Sequence, residues 1–147
     1  MSNSTEYKVV VLGDSGVGKT YTLLKWKETL NSVVVVGAPE LPEWMQNSAP
    51  TMGADVHVVL VKYKGNTVAL KVWDVAGRDE LAGSRDLYIK NCDICVIVYN
   101  SDESYANIDK WKKMVTKDQP SVPIVLYKNV NAEYANLGKI ILDKLHQ

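Results

Sequence analysis

The sequence predicts an α/β fold in which helices cover both faces of a mostly parallel sheet that carries one antiparallel edge strand. Strand-like apolar runs alternate with amphipathic helical segments along the chain. Two of these runs are joined directly by a tight turn, which makes that pair antiparallel. A glycine-rich segment separates the first strand from the first helix. These observations together predict one domain over residues 1–147.

The first part of the chain predicts a strand, a helix and a long loop. The β-branched run at residues 7–12 predicts a buried parallel strand. Residues 19–30 predict a helix with three leucines facing inward, namely Leu23, Leu24 and Leu30. Residues 31–50 contain four consecutive valines and three prolines. We interpret this stretch as a long loop with room for one extra strand.

The middle of the chain predicts a hairpin, a weak helix and a central strand. Runs at residues 56–63 and 67–75 are joined by Lys64-Gly65-Asn66, a hairpin signal. Residues 82–90 predict a weak helix. Residues 94–99 are apolar throughout and predict a central strand.

The last part predicts two helices around a fifth strand at residues 123–127. The helix at 102–116 places four residues inward, namely Tyr105, Ile108, Trp111 and Val115. The closing helix at 132–146 places another four inward, namely Leu137, Ile140, Ile141 and Leu145. The chain supplies five strands, so we expect the edge beyond the fifth to be bare.

Composition and charge exclude several classes of function. Seventeen basic and seventeen acidic residues balance, so we expect neither nucleic acid nor an anionic membrane as a partner. The polar N-terminal segment, the lack of a membrane-length apolar run and the lack of a C-terminal cysteine favour a soluble intracellular protein without a lipid anchor. They do not distinguish the cytoplasm from the nucleus.

The only two cysteines, Cys92 and Cys95, form a C-x-x-C pattern. Such a pattern is half a zinc site or a redox pair in some proteins. No second Cys/His pair completes a metal site here, because His57 and His146 are isolated. We interpret both cysteines as small hydrophobic residues at the start of a buried strand.

Residues 13–20, GDSGVGKT, match the phosphate-binding pattern G-x-x-x-x-G-K-[ST] between a strand and a helix. Glycines let successive N–H groups face an anion, and the helix N-terminus adds partial positive charge. Lys19 reaches the β- and γ-phosphates, and Thr20 coordinates Mg²⁺. The predicted phosphate-binding set is Gly13, Asp14, Ser15, Gly16, Val17, Gly18, Lys19, Thr20 and Tyr21.

Two further elements complete the expected site. WDVAG, at residues 73–77, ends the second hairpin strand. There Asp74 can hold Mg²⁺ through water, and Gly77 can offer its N–H to a γ-phosphate. Thr51, just before the first hairpin strand, offers a hydroxyl to Mg²⁺ and the γ-phosphate.

These motifs resemble the Ras superfamily of small GTPases, with similarity to its Rab and Ran branches. GDSGVGKT is similar to the Rab form of the P-loop, TMGAD at 51–55 to the end of switch I, and WDVAG to the switch II opening WDTAG. The resemblance implies the three-layer P-loop NTPase fold and a GTP/GDP switch that requires Mg²⁺. It also implies effector or regulatory proteins that bind through the loops at 31–55 and 77–90.

The chain departs from this family at its catalytic position. The residue after Gly77 is Arg78, where most of the family has the Gln that orients the attacking water. A guanidinium has no acceptor lone pair, so we expect slow or absent hydrolysis. Alternatively, Arg78 stabilises transition-state charge as an arginine finger does, although its position is the one that orients the water. The catalytic candidates are Arg78, Gly77, Thr51 and Lys19.

The guanine-reading motif N-K-x-D is also degraded. If Asn129 is the family Asn, Ala132 stands at the Asp position, and a one-residue gap places Asn131 there instead. Alternatively, Asn129 belongs to the approach to the last helix, after a deletion. The base-binding candidates are Lys128, Asn129 and Asn131, and we expect reduced guanine selectivity.

The segment between Thr20 and Thr51 is longer than the family usually has, so the extra length falls in switch I. Only Trp44 and Tyr21 are candidates for stacking on the base. Two functions follow: a slow GTPase switch, or a pseudo-GTPase protein-interaction module with weak or unselective nucleotide binding. A P-loop kinase or ATPase is disfavoured, because it leaves WDVAG and the preceding hairpin unexplained.

Overall fold

The computed structural model of the protein describes residues 5–14, 17–29, 54–75, 89–117, 119–129 and 136–146. They form a mixed α/β fold, as predicted. Its elements, in chain order, are β1 (Thr5–Leu12), α1 (Lys19–Thr29), β2 (Ala54–Tyr63), β3 (Asn66–Val75), β4 (Ile94–Tyr99), α2 (Asp102–Ala106), α3 (Ile108–Thr116), β5 (Ile124–Lys128) and α4 (Leu137–Leu145). None of the helices described is long and apolar enough to cross a membrane.

The sheet has five strands in the order β2-β3-β1-β4-β5. β1 pairs in parallel with β3 and β4, and β4 pairs in parallel with β5. β2 is the antiparallel edge strand, paired with β3 so that Tyr63 lies opposite Asn66. Between them, Lys64 and Gly65 both have positive φ, 51° and 82°, as a two-residue hairpin turn of right-handed twist requires. The predicted hairpin is therefore confirmed.

The core lies on both faces of the sheet because side chains alternate along each strand. Val9 and Val11 of β1 face the cluster that contains α1 and α4. Val10 and Leu12 face the cluster that contains α3. Among the described residues, the two largest fully buried side chains are indoles, one on each face, namely Trp26 of α1 and Trp111 of α3. The sequence has no Phe. Trp and Tyr are therefore its only residues with large aromatic rings.

Cys92 and Cys95 are both free and buried, and both belong to the α3-side cluster. Burial raises the pKa of both thiols, that of Cys95 well above its ordinary value. Buried neutral thiols pack as small apolar groups. The interpretation of the C-x-x-C pattern as part of a buried strand and its approach is confirmed.

The predicted helix at 102–116 is wrong in its continuity, because it breaks at Asn107 into α2 and α3. α2 starts with a capping box between Ser101 and Ser104, and Ser104 is the buried residue of this helix. Tyr105, predicted to face inward, is 56% exposed, and its ring packs edge-to-face on Tyr99 at 5.3 Å. The capping box fixes the rotation of α2, and this rotation turns Tyr105 outward.

The closing helix is confirmed over Leu137–Leu145, although Ile140 is 40% exposed and Leu142 is fully buried in its place. The rotation places Gly138 against Trp26 of α1. A Cβ there would lie 3.2 Å from Cζ2 of Trp26. At 100° per residue, Ile140 lies roughly 200° around the helix from Gly138 and so faces away.

Some predicted elements lie outside the described residues. These are the loop at 31–50, most of the weak helix at 82–90, the start of the closing helix, Leu30 and the side chain of Leu24.

Replacing Gly138 with Leu tests the close approach of α4 to α1. We expect a loss of about 1–3 kcal/mol in the free energy of unfolding, because the new side chain meets Trp26 and Val61 at contact distance. Urea unfolding followed by circular dichroism measures it. Ile140→Leu, at an exposed position of the same helix, is the control, and its change should stay within about 0.5 kcal/mol. Equal effects of the two variants would contradict the packing described here.

Candidate nucleotide-binding site

The carboxyl ends of β1, β3, β4 and β5 meet at one edge of the sheet, the edge at which open α/β sheets bind ligands. Gly13 follows β1 directly. Asp74, near the end of β3, belongs to the parallel register that pairs it with Val11. Asn129 follows β5, and its backbone N–H donates to the carbonyl of Tyr99 at 2.7 Å. The fold therefore brings together residues that the sequence predicts for the phosphate, metal and base.

Two glycines of the phosphate loop are required by their surroundings. Gly13 has φ +150°, and a Cβ there would lie 2.5 Å from the carbonyl oxygen of Val98. Gly18 has φ +85°, and its Cβ would lie 2.5 Å from Nδ2 of Asn129. Real Cβ atoms essentially never make such contacts. The loop thus packs against β4 and the end of β5 at distances that only glycine allows.

Lys19 is the first residue of α1, and it is 8% exposed although it carries a charge. Its Nζ donates to the carbonyl oxygen of Gly13 at 3.1 Å. The side chain therefore folds back to the beginning of the loop, and the ammonium lies beside the backbone predicted to hold phosphate. The first N–H groups of a helix have no partner within it, so the start of α1 adds donors and partial positive charge at the same place.

Asn129 connects the end of β5 to the phosphate loop. Its Nδ2 donates to the carbonyl oxygen of Val17 at 2.9 Å. The sequence left open whether this residue belongs to the base motif or to the approach to the last helix; the structure places it against the loop.

Lys128, the other described base candidate, lines an open cavity of about 570 Å³ with Tyr99, Asn100, Ser101, Asp102 and Tyr105. None of the described residues of the phosphate loop is among those that line this cavity.

Asp14 makes contacts that the sequence did not predict. Its two carboxylate oxygens accept hydrogen bonds from Nδ2 of Asn107 at 2.6 Å and from Nε1 of Trp111 at 2.9 Å. The sequence identified Trp111 only as a core residue. A signal was available, because a buried indole N–H usually finds an acceptor. Its partner, however, lies almost a hundred positions away along the chain.

Asp74 is 6% exposed and occupies the penultimate position of β3. A buried carboxylate at this edge of the sheet suits a hard cation. In the part of the chain that the structure describes, no three His, Cys, Asp or Glu side chains gather into a metal site.

Comparison with known protein families decides the class of this site. A family model described as "Ras family" matches residues 8–133 of the 147-residue chain. The chain belongs to the Ras family. This membership supports a small GTPase-like domain that binds guanine nucleotide at the P-loop, with GTPase activity as the general property of the family. The contacts described above are made by residues between Gly13 and Lys19. These residues belong to the P-loop of this Ras family domain.

Tyr21 of the Ras family domain does not turn its ring into the loop. The side chain is 53% exposed, and Nζ of Lys25 lies 5.4 Å from the ring centroid.

The remaining predicted site residues lie outside the described part of the chain, namely Ser15, Gly16, Thr51, Gly77, Arg78, Asn131 and the side chain of Thr20. Their roles stay predictions.

Replacing Gly18 with Ala tests whether the loop needs its close contact with Asn129. We expect at least about tenfold weaker binding of Mg²⁺–GDP, because the methyl group displaces the Asn129 amide and φ is strained. Calorimetric titration measures the affinity. Gly65→Ala, at a hairpin glycine with φ +82° and nothing within 4 Å of the added Cβ, controls for backbone strain alone. The prediction is wrong if the two variants bind equally well.

Proposed function

We propose that this Ras family domain binds GTP and GDP with Mg²⁺ through residues 13–20 and acts as a molecular switch that hydrolyses GTP slowly. The buried Lys19 ammonium at the Gly13 carbonyl carries the proposal. Its site lies beside a loop that two glycines and Asn129 hold in place. A phosphate chain bound at this loop would accept hydrogen bonds from the Lys19 ammonium and from the first N–H groups of α1.

Magnesium fits the residues proposed to hold it. Asp74 offers a buried carboxylate at the end of β3, and Thr20 and Thr51 would add hydroxyl oxygens. Oxygen ligands from protein and phosphate are what Mg²⁺ prefers. When bound, the ion neutralises charge on the β- and γ-phosphates. The part of the protein is to orient the ion and the phosphate tail.

Base recognition is the weaker half of the proposed site. Nδ2 of Asn129 is hydrogen-bonded to the loop carbonyl of Val17, so this N–H group supports the loop. At the position of the family Asp, Asn131 offers one acceptor and Ala132 none. Guanine's N1–H and 2-amino donors would then be incompletely paired, at a cost of roughly 1–3 kcal/mol. We therefore propose that guanine is preferred over adenine by less than is usual for a site with a carboxylate.

The switch would act through two loops, residues 31–55 and 77–90, as the surfaces for effector or regulatory proteins. Rab-like or Ran-like ancestry supports this part of the proposal through the GDSGVGKT and WDVAG motifs. A chain that bound all nucleotides weakly would be better described as a pseudo-GTPase interaction module. The substitutions at the base motif favour that second function, and nucleotide preference distinguishes the two.

The first test of the proposal is nucleotide content and preference. Purified protein is denatured, the released nucleotide is identified by chromatography, and GDP, GTP and ATP are titrated with Mg²⁺. We expect all three nucleotides to bind. The preference for guanine nucleotides should be less than about a thousandfold, because the N1–H and 2-amino donors of guanine are incompletely paired, which costs a few kcal/mol of the binding free energy. Lys19→Ala should weaken each affinity by at least about tenfold through loss of a charge-assisted contact.

The outcomes separate the two functions. A moderate guanine preference, together with binding that Lys19→Ala weakens, supports the switch. Equal weak binding of the three nucleotides identifies the interaction module. No binding, or binding that Lys19→Ala leaves unchanged, rejects the phosphate site.

Arg78 is tested by single-turnover hydrolysis of bound GTP. Arg78→Gln restores an acceptor that can orient the attacking water, so we expect the rate to rise by about tenfold or more. Arg78→Lys keeps the charge without adding an acceptor and should leave the rate low. A rate that falls in Arg78→Gln would show that the guanidinium itself promotes hydrolysis.

A further inference from the structure

The carboxylate of Asp14 lies within the phosphate loop, between Gly13, whose carbonyl accepts from Lys19, and Val17, whose N–H is 3.4 Å from the Asp14 carbonyl. A negative side chain at this position repels a phosphate tail. The repulsion depends on where the carboxylate points. In this structure it is turned toward α3.

Two donors hold the carboxylate in that direction. Nδ2 of Asn107 and Nε1 of Trp111 each bond a different oxygen, at 2.6 and 2.9 Å. Trp111 is 1% exposed, so its indole is fixed by the core. Asn107 is the residue at which the chain breaks between α2 and α3, with φ −91° and ψ 0°. Both donors therefore come from positions fixed by the fold on one face of the sheet.

The backbone N–H of Asn107 closes the end of α2 through the carbonyls of Ser104 and Tyr105. Its side chain makes no capping hydrogen bond to α3, and instead points to the phosphate loop. On the other side of the break, the Ser101–Ser104 capping box fixes α2. Ser101 therefore fixes the start of α2. Asn107, which lies between α2 and α3, directs its side-chain amide at Asp14.

We propose that Asn107 and Trp111 are positioning residues for phosphate binding, because they hold the negative charge of Asp14 away from the bound phosphates. We call Asp14, Asn107 and Trp111 the Asp14 clamp. The inference rests on the proposed function, since it concerns how the same site tolerates a carboxylate. Asn107 and Trp111 touch no phosphate in this scheme and act through Asp14.

The test is a double-mutant cycle on nucleotide affinity. Wild type, Asn107→Ala, Asp14→Asn and the double variant are titrated with Mg²⁺–GDP and Mg²⁺–GTP at low and high salt. Asn107→Ala should weaken binding by about three- to tenfold, with the larger loss for GTP, because GTP carries more negative charge. The loss should shrink at high salt. In the Asp14→Asn background the same change should cost less than about twofold, since no charge is left to release.

A merely structural role predicts a different pattern. If the clamp only anchors the loop, Asn107→Ala weakens GDP and GTP equally, does not respond to salt, and costs as much with Asn at position 14. That pattern overturns the inference and leaves the proposed function intact. Wild-type protein that binds neither nucleotide overturns both. Trp111→Phe, which removes the indole N–H, should repeat the behaviour of Asn107→Ala wherever urea unfolding shows that it folds.

Asp109→Asn is the matched control for charge. Asp109 lies on the exposed first turn of α3, close in sequence to both donors. Its neutralisation changes the net charge by the same amount as Asp14→Asn. It should not suppress the effect of Asn107→Ala, and suppression by this variant would show that general charge, rather than the clamp, controls affinity.

Discussion

The hydrogen bond from Asn129 to the Val17 carbonyl is the contact on which the site most depends. A phosphate-binding loop must direct its N–H groups at the ligand, so its other backbone groups need partners elsewhere. Asn129 supplies one such partner from the end of β5, and it reaches the loop only because Gly18 has no side chain. The position of the loop is thus set by the far side of the sheet as well as by β1 and α1.

The opposite end of the molecule is held together by different chemistry. The hydroxyl of Tyr63 donates to Asp143 of α4 at 2.6 Å. The ring of His146 stacks on Tyr63 at 5.5 Å and meets Tyr7 edge-on at 6.1 Å. These contacts hold the closing helix on the hairpin without using any site residue. The hydrogen bond from Tyr63 is also the largest of several causes that lower the pKa of Asp143. Its contribution to stability is therefore present at neutral pH and is lost as the pH falls through the lowered pKa.

Sequence reasoning succeeded where a pattern is local and failed where a distant contact decides. The strand at Ile94–Tyr99 and the turn at Lys64 and Gly65 follow from apolar runs and turn chemistry, and both were predicted. The inward face of α4 was wrong at Ile140, because that helix places Gly138 against Trp26 and Ile140 faces away. No periodicity within a helix contains that information.

The site shows the same division. The phosphate loop was predicted because its glycines and lysine are adjacent in sequence, and the structure places Lys19 and Gly13 in contact. The contacts of Asp14 with Asn107 and Trp111 join positions 93 and 97 residues apart. They were missed because a buried tryptophan at helical spacing already has a sufficient explanation in the core.

The bond from the Trp111 indole to Asp14 gives the protein an internal optical probe. Indole emission depends on the charge and hydrogen bonding around Nε1, and this N–H ends on a carboxylate of the phosphate loop. The other large buried indole, Trp26, belongs to the opposite core cluster. A movement of the loop that lengthened the Asp14 contact would therefore change the emission of Trp111, and comparison with a Trp111→Phe variant would separate this change from the emission of Trp26, Trp44 and Trp73.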